Sequence, residues 1–390
     1  MTLSSGPLSG LLVIDLTRVL AGPFAALLLN ELGARVIKVE PPITGDDSRH
    51  IGPFVQTPSG KTKSGYFMSV NRAKESIALD LKAPADRAIF QALLARADVL
   101  IENYRGGTME KLGYGYEALK DKYPKLIYCG VSGFGHTGPY AKRPAYDMVV
   151  QAMGGVMSLT GHPDSPPTRV GTSTGDLSAG LFATIGMITA LYDRKTTGKG
   201  QKVDISMLDS QVALLENAIS RYVATGQVPG RLGSRHPSIA PFAAFATKDG
   251  HIAIAAGNDE LFARVARVLG RDDLAADERF ASNPRRVQNC EALHEEMEVA
   301  LSAYSSSHWL DALDAAGVPS GPLNDVAQVM ADPQVLFRNM IVETLDPDLG
   351  PIRMQGNPIK LSAHEDPKTR AAAPELDEHR AAILKELGLD

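Results

Sequence analysis

Short apolar runs of strand length alternate with helix-length segments through the first 130 residues, and that alternation leaves few folds open. Leu11–Leu16 is the first apolar run. Pro23 then stands where a first helical turn tolerates a missing N–H. Phe24–Leu32 has helical length, and Gly33 ends it. Val36–Glu40 is a second strand. The pattern returns as Ser76–Leu81, a helix over Pro84–Ala97, and strands at Val99–Glu102 and Leu126–Val131. Such alternation predicts an α/β fold with a doubly wound sheet.

A strand–helix–strand start invites a dinucleotide reading, with Glu40 placed as the ribose-binding acid. The first turn argues against it. Thr17-Arg18-Val19-Leu20-Ala21-Gly22-Pro23 has one glycine where a pyrophosphate cradle needs GxGxxG. The P-loop, the GxSxG elbow and HExxH are also missing. Two cysteines, Cys129 and Cys290, build neither a disulfide framework nor a zinc site, so no metal is expected. The net charge of −5 excludes bulk attraction to nucleic acid, although residues 1–150 carry +4 and the rest −9. A polyanionic ligand would prefer the first part. The most apolar window, 177–192, falls short of the roughly 20 residues a membrane span needs. It reads as a buried core helix. No signal-peptide pattern opens the chain, so the expectation is a cytoplasmic protein without a membrane partner.

Beyond residue 192 come a basic turn, a strand (202–206) and a long helix (208–225). Pro229–Pro241 is a Gly/Pro/Ser/Arg-rich crossing segment. Phe242–Ala256 reads as a hairpin turning at Lys248-Asp249-Gly250. Helices at 259–269, 285–304 and 307–316 follow, and a last one at 375–387. The expected domains are 1–205 (large), 206–240 (linker helix and crossing), 241–325 (small α+β) and 326–390 (return to the large domain).

The window Gly-Thr-Ser-Thr-Gly-Asp-Leu-Ser-Ala-Gly, 171–180, places Asp176 at the start of the apolar helix. Unpaired backbone N–H groups and the positive helix end would keep it ionised there. Read on its own residues, Asp176 is a helix cap or a nucleophile toward an activated acyl group such as a thioester.

Several windows in order resemble the family III CoA-transferases, the group that includes α-methylacyl-CoA racemases. They are Asp15–Pro23, Gly33–Glu40, Gly45–Arg49, Val70–Lys74 with Asp80–Lys82, Glu102–Tyr104 with Leu112–Tyr114, and Gly133–Pro139. The Asp176 window, Thr197–Gln201, Gly317–Pro322 and Asp332–Gln334 complete them. The resemblance covers nearly the whole chain. It implies a large Rossmann-like domain built from both chain ends, an inserted small domain, and an interlocked homodimer. It implies Asp176 as the nucleophile and coenzyme A as the carrier, with Gly175 and Tyr146 supporting the oxyanion. Arg18, Val19, Ala21, Leu79, Lys82, Asn103, Tyr104, Lys111 and Arg143 are assigned to CoA by position.

The racemase branch has histidine where this chain has Tyr146, and tyrosine is a poor base at neutral pH. That favours transfer over α-proton exchange, with Asp176 kept and Asp259 as a possible neighbour. The formyl-CoA/oxalate branch carries a glycine-rich loop where Ala255–Asp259 has one glycine, and a glutamine where this chain has Leu20. The run Leu16–Phe24 and the segment Ser238–Phe242 look most like the succinyl-CoA:glutarate type. The expectation is therefore a succinyl-CoA donor and a C4–C6 dicarboxylate acceptor. Arg18, Arg49 and Arg72, with His236 beside them, are the candidates to hold the acceptor's distal carboxylate.

Overall fold

Six parallel strands form the central sheet of the computed structural model, which describes residues 6–389. They are β1 (Leu12–Asp15), β2 (Arg35–Glu40), β3 (Glu75–Ala78), β4 (Val99–Glu102), β5 (Ile127–Ser132) and β6 (Lys202–Ser206). Their spatial order is β3-β2-β1-β4-β5-β6, the order of a doubly wound sheet. The chain reverses direction across the sheet between β1 and β4. In this architecture ligands gather outside the carboxyl ends of the strands at that reversal.

Side chains alternate across each strand, so one strand feeds two cores. Val13, Val36, Ile101, Ile127 and Cys129 face one layer, where α1 (Ala21–Glu31) supplies Ala25 and Leu29. Ile14, Ile37, Leu100 and Tyr128 face the other, where α2 (Pro84–Arg96) supplies Phe90, Leu93 and Leu94. A last helix, Arg380–Leu387, adds Ile383 to that second layer. Strands β4 and β5 are buried along their whole length, which explains their unbroken apolar reading.

Two shorter elements matter for the site: α3 (Asp147–Met153) and α4 (Thr174–Thr197). Helix α4 is longer than the 177–192 read from sequence, at 24 residues, and is long and apolar enough to cross a membrane. Half of its apolar window is buried, however, with Ala179, Ala183, Met187 and Ala190 in the first core. Gly180 lets it approach α1: a Cβ there would lie 2.8 Å from the carbonyl oxygen of Ala21. Its backbone is ordinary helix, and what glycine contributes here is the missing Cβ.

Contacts divide the chain into two units. One takes in the described chain up to Val156, Arg169–Ser220 and the part from Pro333 onward; the other takes in Met157–Thr168 and Arg221–Asp332. The second unit has its own three-stranded antiparallel sheet, in which Phe242–Ala246 and His251–Ala255 are the expected hairpin and Ser320–Pro322 pairs beside them. Phe245, Ile252, Phe262, Leu293, Met297 and Trp309 fill its core.

Some expected helices are broken. The long helix 208–225 is two, Met207–Ala213 and Asn217–Thr225, with Glu216 at a positive φ of 36° between them. The helix 285–304 is also two, Asn283–Gln288 and Cys290–Leu301, separated at Asn289. The Asn289 side chain donates to the Arg285 carbonyl, competing with continuation of the helical ladder. The final helix starts at Arg380 rather than 375. Apolar residues recur at helical spacing on both sides of each break, so periodicity alone ran through them.

Candidate active site

Asp176 is the third residue of α4, after the N-cap Ser173. Helices here leave their first amides without intrahelical partners. One of them is already taken: the Gly175 N–H donates to Asp147 Oδ1 at 2.9 Å. The expectation that Gly175 offers this amide to an oxyanion is therefore corrected; its donor capacity is spent on a buried carboxylate. Among the described residues no hydrogen bond reaches the Asp176 carboxylate, so it does not cap the helix either.

The electrostatics also correct the expected ionisation. Burial pushes the Asp176 carboxyl up from 3.8 to about 7, the negative charge of Asp147 pushes the same way, and Arg169 opposes both. Desolvation and a like charge outweigh the helix end. Tyr66, on the helix Gly65–Asn71, feels the same acids: burial, Asp176, Asp46 and Asp147 raise its phenol to about 12. It stays a neutral hydroxyl.

Sequence reasoning missed the frame around this carboxylate. Asp147 opens α3 and is buried. Gln151, one turn later and fully buried, donates from Nε2 to both Asp147 oxygens at 3.0 and 2.9 Å. Arg169 Nη2 donates to Asp147 Oδ2 at 3.0 Å and to Ser173 Oγ at 3.2 Å. The i, i+4 spacing of Asp147 and Gln151 was visible, but an aspartate opening a helix reads first as a cap.

A second cluster sits at the carboxyl ends of β1 and β4. The Asn103 side chain accepts from the Arg18 N–H and donates to the Arg18 carbonyl, both at 2.8 Å. The Arg18 guanidinium lies 4.6 Å over the Tyr104 ring. Val19 has φ of 66°, a left-handed conformation unusual for a β-branched residue. Its N–H is held by Asp46 Oδ1 at 3.0 Å. Arg18, Val19, Asn103 and Tyr104 are thus brought together, and Ala21 opens α1 beside them.

The remaining expected residues divide. Lys82 and Lys111 are exposed. Arg143 is exposed too, stacked 4.6 Å over Tyr140. Leu79, assigned to CoA by position, has its side chain buried in the second core, so only its backbone is left to face a ligand. Tyr146 stands at the start of α3, 75% exposed, with no hydrogen bond from its side chain to the helix it precedes. His236 belongs to the second unit, where it lines a cavity of about 240 Å³ with Phe242 and Arg235. Asp259, in the same unit, pairs with the buried Arg286.

Two arginines expected to meet the acceptor are also corrected. Arg49 gives both Nε and Nη2 to Glu40 at 2.8 Å and lies 3.7 Å over the Phe67 ring. Glu40, the discarded ribose acid, has that structural partner. Arg72 is buried and bonds Glu31 at 2.9 Å, and Glu31 also holds Arg370. Each fork is spent inside the fold. Arg72→Ala should therefore cost about 3 kcal/mol of unfolding free energy, because Glu31 stays buried with half its partners. Denaturant titration reads that loss, and the ratio of rates between two acceptor acids should not change.

A carboxylate raised by burial at the head of α4 and a polar turn at the carboxyl ends of β1 and β4 mark the candidate site of this α/β fold. Comparison with known proteins narrows the class. The model of CoA-transferase family III matches residues 8–380. The acetyl-CoA:oxalate CoA-transferase of Acetobacter aceti is 50% identical over 98% of this chain and 96% of its own length. The human succinyl-CoA:glutarate CoA-transferase is 40% identical over 98% of this chain and 86% of its own. The crystal structure of a CAIB/BAIF family protein from Brucella suis, 43% identical, superposes with a TM-score of 0.87 over 98% of this chain and all of that one. The chain belongs to CoA-transferase family III.

Proposed function

We propose that this enzyme moves CoA from an acyl-CoA donor to a short dicarboxylic acid, with Asp176 as the covalent carrier. The observation that carries the reading is a carboxylate at the head of α4 that no hydrogen bond neutralises. A carboxylate without hydrogen-bond donors keeps its lone pairs for attack. Asp176 Oδ attacks the thioester carbon, the C–S bond breaks, and CoA leaves as thiolate from a mixed anhydride. The thiolate then attacks the Asp176 carbonyl carbon, and the donor acid departs. The acceptor carboxylate displaces CoA from the aspartyl thioester, and the thiolate takes the acyl group from the new anhydride. No net proton moves.

Arg18, Val19, Ala21, Asn103, Tyr104 and Lys111 are proposed to lie along the CoA nucleotide, with Lys82 beside its adenine and Arg143 toward a phosphate. What supports the reading for the first group is its position at the carboxyl ends of β1 and β4, next to the reversal of strand order. An interlocked homodimer is part of the same proposal, and sedimentation at twice the chain mass would agree with it.

The acceptor reading is a C4–C6 dicarboxylate with succinyl-CoA as donor, in line with the glutarate and mesaconate names among the relatives. Oxalate stays as the second reading, favoured by the name of the relative at 50% identity. Both are dicarboxylates, and they differ in length. The test incubates the enzyme with succinyl-CoA or acetyl-CoA and a panel from oxalate to adipate, and reads CoA esters by mass. Transfer to monocarboxylates alone overturns the dicarboxylate reading. Solvent deuterium at the α-carbon of a 2-methylacyl-CoA without any acceptor would point to the racemase instead.

A further inference from the structure

Asp147 has no assigned part in the chemistry above. Its place is unusual for a structural acid. It is buried, and its donors are the amide of Gly175, the side-chain amide of Gln151 and one nitrogen of Arg169. Gln151 is itself locked, since its Oε1 accepts the Val170 N–H at 3.0 Å. Arg169 is tethered as well, to Ser173 Oγ and, at 3.3 Å, to the Gly171 carbonyl. Gly175 is required by this arrangement: a Cβ there would stand 3.0 Å from Asp147 Oδ1 and 2.6 Å from a Val150 methyl. The residue next to the nucleophile is therefore glycine so that a second carboxylate can come close.

We propose that Asp147 is a positioning residue that holds a fixed negative charge beside Asp176 and so makes the Asp176 carboxylate a stronger nucleophile than an ordinary aspartate. The inference rests on Asp176 being the covalent carrier. Three groups face Asp176 electrostatically: Asp147 from α3, Arg169 from the irregular segment before α4, and the neutral Tyr66 from Gly65–Asn71, which in turn faces Asp46. Arg169 bonds Asp147 and not Asp176, so the cation anchors the repelling acid more than it relieves the nucleophile. The rise of the Asp176 carboxyl to about 7, to which Asp147 contributes, agrees with that geometry. A more basic carboxylate donates its electron pair more readily, provided the pH keeps it ionised.

The test uses the full-length enzyme and the first half-reaction, release of CoA thiolate from acyl-CoA, followed against pH. In the native chain the rate should fall as pH drops below about 7, where Asp176 takes up a proton. Asp147→Asn should move that limb down by about one pH unit and lower the plateau above it by about threefold. Arg169→Gln should move the limb the other way, since it removes the cation that, among the described residues, faces Asp176. A purely structural frame would slow both variants with the limb unmoved, or move both limbs alike, and either result overturns the proposal. Should Asp147→Asn fail to fold, Arg169→Gln alone decides, because an unshifted or lowered limb contradicts the charge argument. Mass spectrometry of the hydroxylamine-trapped native enzyme separates the two levels. A label on Asp176 with unmoved limbs sinks only this inference, and no label on Asp176 removes the proposed carrier and this inference with it.

Discussion

Asp176→Asn should abolish CoA transfer, lowering the rate by at least about 10⁴-fold, while the protein becomes more stable at alkaline pH. The two halves of this result share one cause. In the folded chain the Asp176 carboxyl titrates near 7 rather than 3.8, because burial and Asp147 both oppose its charge. The folded state thus holds a proton that the unfolded chain has released. Where the native state binds more protons, stability falls as pH rises. The loss runs from about pH 4 to about pH 7 and is complete above that. With a shift of about three units and a discount for the partly open carboxylate, it amounts to about 2–4 kcal/mol. Asparagine has nothing to ionise, so the variant should melt several degrees above the native enzyme at pH 8. The two should converge toward pH 4. Calorimetry at both pH values checks the stability half, and CoA-ester formation checks the activity half. A variant that is inactive without gaining stability at pH 8 would mean that Asp176 is not held in an unfavourable ionised state. Destabilised catalytic groups of this kind are a recognised source of such trade-offs.

The sheet and the placement of Asp176 at the head of α4 were more legible in the sequence than the frame around that carboxylate. Strands such as Val99–Glu102 and Ile127–Ser132 were legible because a central parallel strand is apolar on both faces. Asp176 stood out by its place at the head of a long apolar helix, where its own residues left a cap or a nucleophile open and the family resemblance favoured the nucleophile. Its ionisation was misread, since the helix end is a local feature while Asp147 and the burial that raise its titration come from packing. The arginines failed for a related reason. Arg49 and Arg72 look available in a list of residues, and they lose that availability to Glu40 and Glu31. Glu31 lies 41 positions from Arg72, and no spacing rule links such partners. The breaks at Glu216 and Asn289 escaped because apolar periodicity resumes in phase with the core on either side. The turn at Val19 was assigned by resemblance, but its strain is visible only in the backbone angle.

That turn stands on a buried charge cluster, and the cluster supports the second large expected effect. Lys74 Nζ donates to Asp15 Oδ2 at 2.9 Å, to Asn71 Oδ1 at 2.9 Å and to the Pro23 carbonyl at 3.0 Å. Lys38 Nζ pairs with Asp46 at 2.8 Å and donates to the Thr17 carbonyl at 2.7 Å. All four charged side chains are inaccessible to solvent. Lys74→Met removes one cation and leaves Asp15 charged in the core. Breaking a buried pair from one side costs about 3–5 kcal/mol, which for a domain of this size lowers the melting temperature by roughly 10 °C. The double change Asp15→Asn with Lys74→Met should recover most of that loss, because no buried charge is then stranded. Titration gives a second check. Burial lowers the Lys74 ammonium from 10.5 to about 8, against the pull of Asp15. The unfolded chain therefore holds more protons between about pH 8 and pH 10.5, so this group adds stability as pH rises through that window. The Lys74→Met variant lacks that gain, so its deficit should widen from pH 8 to pH 10. A deficit that narrowed would mean that Lys74 carries a full charge in the fold, and that the cluster is stabilised by its ion pairs more than it is strained by burial.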